Sequence, residues 1–156
     1  MNANEMWKAY TESLGSKISV YNDIMQSSYE AWAFCDGGPE SNHLASLVLA
    51  GTKRATSSAF RLYELEGESL PSAGEFNVIL FANNQAACVT RTVAVEIVPF
   101  KAITERHAYL EGEGDKTLSY WRNVHEAIFE AEFEEAGLHF DENELVVFEE
   151  FEVVYK

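Results

Sequence analysis

Positive charge is what this chain has least of: 11 Lys and Arg stand against 26 Asp and Glu in 156 residues, a formal net charge of −15. Affinity for duplex nucleic acid rests mostly on cations that neutralise phosphates, so this balance excludes duplex DNA as a partner. It leaves room for a small basic pocket that admits one nucleotide or a short single strand. Cysteine is almost as scarce. Cys35 and Cys88 stand alone, without a CxxC pair or a histidine at zinc spacing, which excludes a disulfide framework and a zinc module. The expectation is two reduced, buried thiols in a cytoplasmic protein. Long apolar runs are missing too: nothing approaches the ~20 consecutive apolar residues that span a bilayer. The opening MNANEMWKAY has neither a basic n-region nor an apolar h-region, so no membrane partner is expected. There is no repeat, no low-complexity tract and no linker long enough to divide two domains.

What remains, 47% apolar and 13% aromatic residues, is ample material for a core. It predicts one domain over residues 1–156, with a helical extension at about 1–34. Met6, Tyr10 and Leu14 mark a short amphipathic helix. A second helix is expected over 18–33, closed by the turn CDGGPE. Ser41 and Asn42 are placed to cap a third, which carries Leu44, Leu47 and Val48 and stops at Gly51. After a further short helix and a loop punctuated by Pro71 and Gly74, the period changes. EFNVILFA and AACVTRTVAVEIVPF read as two strands of a hairpin joined at NNQ. TERHAYL is a short helix, EGEGD an acidic turn, and TLSYWRNVHEAIFEAEFEEAG a long helix with Leu118, Trp121, His125 and Ile128 along one stripe. ELVVFEEFEVVYK closes as a strand. Strands interleaved with helices, with antiparallel neighbours, indicate an α+β fold around a small curved sheet or barrel.

Some charged side chains break these patterns. Arg91 shares its strand face with Val89, Val93, Val95 and Ile97, and Glu149 shares one with Val147, Phe151 and Val153. An inward charge must be paired or near water, so Arg91 and Glu149 pair with each other, reach solvent at a strand end, or line a polar pocket. His125 on its apolar stripe reads as a structural histidine with one hydrogen bond. Glu111, Glu113 and Asp115 alternate with glycines, like the start of a calcium loop. The template then fails, because Lys116 and Arg122 occupy positions where Gly and Glu belong. A looser magnesium or manganese site built from Glu111, Glu113 and Asp115 stays open; so does a capping role for Asp115 or Thr117. Most unusual is LAGTKRATSSAFR, where Lys53, Arg54, Thr56, Ser57, Ser58 and Arg61 collect just past a helix end. Cations there can simply offset the helix dipole, worth ~0.3–1 kcal/mol.

Taken together, LVLAGTKRATSS, LPSAGEFNVIL, RTVAVEIVPF followed by TERHAYLEGEGDKTLSYWR, and the final VVFEEFEVVY resemble the ASCH domain family, in its longer branch once catalogued as a domain of unknown function. The resemblance runs from about Trp32 to Tyr155. It implies a small PUA-like β-barrel with helices packed around it and a cleft beside the G-x-K-x-x-T segment. It also implies an association with RNA. A shorter member of the family removes acetyl from N4-acetylcytidine with a lysine, a threonine and a glutamate. Matched residue by residue, those become Lys53, Thr56 and Glu111, the last following the T-E-x-H-A segment. Arg54, Ser57, Arg61, Arg91 and Glu149 are then the candidates for contacting substrate, a modified nucleoside or short single-stranded RNA.

The chemistry suits these types. A hydroxyl needs a base to become a nucleophile, and a lysine serves as base only where desolvation or neighbouring cations make its amine available. Arg54, Arg61 or Arg91 are placed to supply such a charge. Glu111 would act as general acid toward the departing amine, and backbone N–H groups between Thr52 and Ser57 would hold the oxyanion. No cofactor is expected on that reading. Two alternatives keep their place: a metal-dependent ribonuclease using a divalent ion, and a non-catalytic RNA-binding regulatory module.

Overall fold

The computed structural model describes residues 1–15 and 28–156. Within them the chain runs α1 (Ala3–Ser13), β1 (Tyr29–Ala33), a 3-10 turn (Phe34–Gly37), α2 (Ser41–Leu49), β2 (Ala55–Ala59), α3 (Phe60–Glu66), β3 (Phe76–Leu80), β4 (Ala86–Pro99), a second 3-10 turn (Phe100–Ala102), α4 (Glu105–Glu111), α5 (Leu118–Glu135) and β5 (Leu145–Tyr155). The five strands form one curled half-barrel sheet in the order β1-β3-β4-β5-β2, and the fold is α+β. β1 lies parallel to β3, with Tyr29 opposite Phe76, while β3 and β4 form the expected antiparallel hairpin. β2 runs antiparallel to β5, with Thr56 opposite Glu149 and Ser57 opposite Phe148.

The helix expected over 18–33 falls largely outside the described residues, but its last five positions form β1. Nothing local in YEAWA demands a strand. The parallel ladder with β3 does, helped by Trp32 Nε1–H donating to Asn77 Oδ1 at 2.9 Å.

The chain divides into two compact units: Met1–Gly51 with Ser72–Val93 and Phe151–Lys156, and Thr52–Pro71 with Ala94–Glu150. In the first, the capped helix α1 (Asn2 and Glu5 exchange two hydrogen bonds) buries Met6 and Tyr10 against Phe76, Val78 and Val89. A neighbouring cluster gathers Phe34, Leu44, Ala45, Val48, Ile79, Cys88 and Phe151. Two expectations change here. Ser41 and Asn42 do not cap α2: they lie inside its first turn, and the Asn42 amide oxygen instead accepts from the Ala82 N–H at 2.9 Å. Of the two thiols, Cys88 is buried and pushed up to about 12 by desolvation, whereas Cys35 is exposed. On β4 in this unit, Thr90 and Thr92 are buried on one face and Val89 on the other. Arg91 shares the Val89 face but is exposed, its guanidinium over the Phe76 ring.

The second unit is built on α5. Its buried positions are Trp121, His125, Phe129 and Phe133, spaced four apart, which pack with Phe100, Ile103, Ala108, Phe140 and Val146. Each full burial of such a ring contributes ~1.5–3 kcal/mol. Ile128, expected on this stripe, is 40% exposed. Steps of four advance slowly around a 3.6-residue helix, so the buried stripe drifts to Phe129 and Phe133 and leaves Ile128 on the wet flank.

Candidate functional site

Two separated segments meet in the second unit. The Arg54 N–H donates to the Leu110 carbonyl at 2.8 Å, tying the chain before β2 to the last turn of α4. Helix α4 is started by a capping box between Thr104 and His107 and is closed by Gly112 in the left-handed region, φ +69°. Gly112 lies directly on the backbone of Thr52 and Lys53. A Cβ there would stand 2.1 Å from the Thr52 carbonyl oxygen, so only glycine allows the approach. The contact sets Lys53 beside the carboxylates on either side of Gly112.

Lys53 is 2% exposed and Glu111 1%. The Lys53 amine donates to the Ala55 carbonyl at 2.8 Å and lies 3.6 Å from Glu113 Oε2. Glu111 Oε2 receives the Trp121 indole N–H at 3.0 Å and faces His125 Nε2, also at 3.0 Å. His125 Nδ1 lies 2.9 Å from the Trp121 carbonyl, and the imidazole stacks on the Trp121 ring with centroids 4.2 Å apart. A carbonyl can only accept, so Nδ1 carries a proton. Nε2 then shares its proton with a carboxylate that already accepts from tryptophan.

The charge state follows from these contacts. Burial opposes ionisation of Glu111, but the charges of Lys53 and His125, with hydrogen bonds from His125 and Ser57, outweigh it and bring the carboxyl down to about 2. For His125, burial likewise opposes the charge and the Glu111 carboxylate outweighs it, so the imidazole is raised above its usual range. Glu113 moves the other way. Burial raises it, Lys53 offsets this in part, and the neighbouring Glu111 carboxylate raises it again. Two adjacent carboxyls are therefore split into one held ionised and one inclined to keep its proton. The Ser57 hydroxyl is near enough to favour ionised Glu111. Even so, neither Ser57 Oγ nor the buried Glu111 Oε1 completes a hydrogen bond of standard geometry.

The other residues singled out in the sequence distribute as follows. Strand β2 is regular, so Ser57 and Thr56 point to opposite faces. Ser57 turns toward Glu111, and Thr56 sits beside its cross-strand neighbour Glu149. None of the three arginines expected to bias Lys53 is bonded to it: Arg54 is exposed over the Tyr109 ring, Arg61 pairs with Glu144 at 2.7 Å, and Arg91 belongs to the other unit. Asp115 is exposed and accepts from the Thr117 N–H and hydroxyl, while Thr117 caps α5 by accepting from the Tyr120 N–H. The third potential ligand beside Glu111 and Glu113 is His125, the three offering atoms within 4.8 Å of one another. Trp121 and His125 were legible only as a four-residue spacing on an apolar stripe; that they face Glu111 is a product of helix packing.

A curled half-barrel with a helix-covered cluster of this kind defines a PUA-related fold, of the sort found in RNA-binding domains. The ASCH domain model matches residues 30–155, and the chain belongs to the ASCH domain family. It is similar to an ASCH domain from Lactobacillus crispatus JV V101, with 30% identity over 98% of this chain and 94% of that one and a TM-score of 0.90. It is also similar to a protein from Enterococcus faecalis V583 of a family of unknown function, with 32% identity over 99% and 93% of the two chains and a TM-score of 0.82. No curated protein matches it. Among the described residues no helix is long and apolar enough to cross a membrane.

Proposed function

We propose that this protein binds a modified nucleoside, free or within a short single strand of RNA, beside Lys53 and hydrolyses an amide on its base. One observation carries the reading: an amine and a carboxylate from segments 58 residues apart are both almost fully buried and near enough for the Lys53 charge to favour ionised Glu111, with that carboxylate anchored by two N–H donors. Desolvated polar groups of this kind are costly to fold and concentrate where chemistry needs them.

The charge states revise the roles that resemblance assigns. Glu111, held ionised, is suited to orient Lys53 and His125 by its fixed charge rather than to take up a proton. Glu113, raised and open on one side at 17% side-chain exposure, is the carboxyl suited to protonate a departing amine. His125 and Trp121 act through Glu111, as positioning residues. Family resemblance gives the nucleophile's place to Thr56, whereas the pleat of β2 favours Ser57; alanine at each position decides between them. The decisive assay is incubation with N4-acetylcytidine, with and without a chelator. Lys53→Ala and Glu111→Gln should each abolish deacetylation and Arg106→Ala should not; an inert wild-type protein refutes the reading.

A metal-dependent ribonuclease is the second reading, favoured by the convergence of Glu111, Glu113 and His125 and by the unsatisfied Glu111 Oε1. This donor set suits manganese or zinc in type. As arranged, it does not fit: His125 Nε2 turns its proton toward Glu111, and the Lys53 amine already stands against Glu113. Cleavage of single-stranded RNA that is lost on chelation would favour it over the amidase.

A further inference from the structure

We propose that Tyr109, Arg54 and Lys116 form a landing surface for single-stranded RNA on the outer side of the same two segments that build the buried cluster. The inference rests on the nucleoside reading above and adds to it a place for the strand that flanks the nucleoside.

Tyr109 is 55% exposed, and two cations converge on its ring: Arg54, with its guanidinium carbon 5.9 Å from the centroid, and Lys116, with its amine at 5.4 Å. Both belong to the site's own segments. Arg54 follows Lys53 and is bonded to Leu110; Lys116 closes the turn after Glu113 by donating its N–H to the Glu113 carbonyl at 3.0 Å. The remaining cations of this unit are engaged differently. Arg61 and Arg106 are paired with Glu144 and Glu150, and Lys101 and Arg122 donate to amide or carbonyl oxygens. A ring face, like the neutral oxygens that Lys101 and Arg122 meet, attracts a cation without neutralising it, and here two cations share one exposed ring. Arg54 and Lys116 thus keep their charge in a chain where positive charge is scarce.

The backbone supplies a second, independent sign. Lys116 has φ +64°, a conformation that glycine adopts freely and a side chain adopts at a cost. Glycines occupy comparable conformations at 112 and 114 of the same turn. A lysine held there costs stability, and such strain gathers at functional positions. Next to it the Tyr120 ring, 38% exposed, covers Gly114. Exposed aromatics flanked by cations are what a single strand requires: bases stack on the rings and phosphates meet the charges.

The test is binding of an end-labelled fluorescent oligouridylate of about ten unmodified nucleotides, within the site sizes usual for single strands, followed by fluorescence anisotropy at several salt concentrations. Tyr109→Ala should weaken binding ~10-fold and Tyr109→Phe should not. Lys116→Gly should weaken it several-fold and flatten the salt dependence by ~0.7 in log–log slope, yet leave the melting temperature undiminished, because glycine relieves the strain. Arg106→Ala removes a charge elsewhere on the unit and should leave affinity unchanged. The proposal falls if wild-type protein binds the oligonucleotide no better than uridine, or if Tyr109→Ala and Lys116→Gly bind like wild type. It also falls if Arg106→Ala weakens binding as much as Lys116→Gly. Failure here differs from failure of the hydrolase. RNA lost by the variants while N4-acetylcytidine stays intact upholds the surface alone; deacetylation without oligonucleotide preference overturns the surface alone.

Discussion

Replacing Gly112 by alanine tests how the buried cluster is assembled. The new Cβ would lie 2.1 Å from the Thr52 carbonyl oxygen and 3.0 Å from the Lys53 nitrogen, whereas ordinary contact begins at 3.4 Å. The Thr52 carbonyl must therefore retreat by about 1.3 Å, which strains the 2.8 Å bond from the Arg54 N–H to Leu110. Two costs add: ~1–2 kcal/mol for a side chain at positive φ and ~1–3 kcal/mol for overpacking. At ~2–4 °C per kcal/mol for a chain of this size, the melting temperature should fall by roughly 4–20 °C. Gly137 supplies the internal control. Its φ is +74° and a Cβ there meets nothing within 4 Å, so Gly137→Ala carries the conformational cost alone and should lower melting by roughly 2–8 °C. Calorimetry on both variants, with N4-acetylcytidine turnover beside it, separates the effects. Equal losses at the two glycines, or an undisturbed cluster in Gly112→Ala, would refute the claim that this contact sets Lys53 against the carboxylates.

Trp121→Phe keeps a ring over His125 but removes the N–H that Glu111 accepts at 3.0 Å; a bond to a charged group contributes ~1.5–3 kcal/mol. Urea denaturation should show a loss of that order, and the Glu111 carboxyl should titrate higher by carbon NMR. The pH dependence of stability has a definite sign. Glu111, lowered to about 2 from 4.5, contributes stability that is complete above 4.5 and lost as pH falls toward 2. His125, raised above 6.5, contributes stability that is complete below 6.5 and lost as pH climbs through its raised value. The pair should stabilise most between 4.5 and 6.5. His125→Gln should flatten the alkaline limb of a stability–pH curve; an unchanged limb counts against the ion pair. Phe129→Ala, at a position 1% exposed among Phe100 and Phe140, should cost ~3–5 kcal/mol in the same urea assay.

Much of the architecture was readable before any coordinates. The β3–β4 hairpin, the stop at Gly51, the Thr117 cap and the long α5 rest on contacts within a few residues, or on a period that one segment carries by itself. Strand β1 was not readable, because its ladder partner lies 47 positions away in β3. The setting of Arg91 was not readable for a similar reason: alternation shows that it shares a face with Val89 and Val93, but not that α1 covers Val89 and leaves Arg91 and Val93 exposed.

The sequence alone determined the scarcity of cations, their concentration beside hydroxyls after Gly51, the acidic turn and membership of the ASCH domain family. Only the tertiary structure decided which groups meet. It put Trp121 and His125 on Glu111, assigned Asp115 to a helix start, turned Ser57 rather than Thr56 toward the carboxylate, and brought two cations to Tyr109. The physical reason is range. Caps, turns and hydrophobic period are properties of neighbouring residues, whereas the charge a buried carboxyl carries depends on donors that packing delivers from distant parts of the chain.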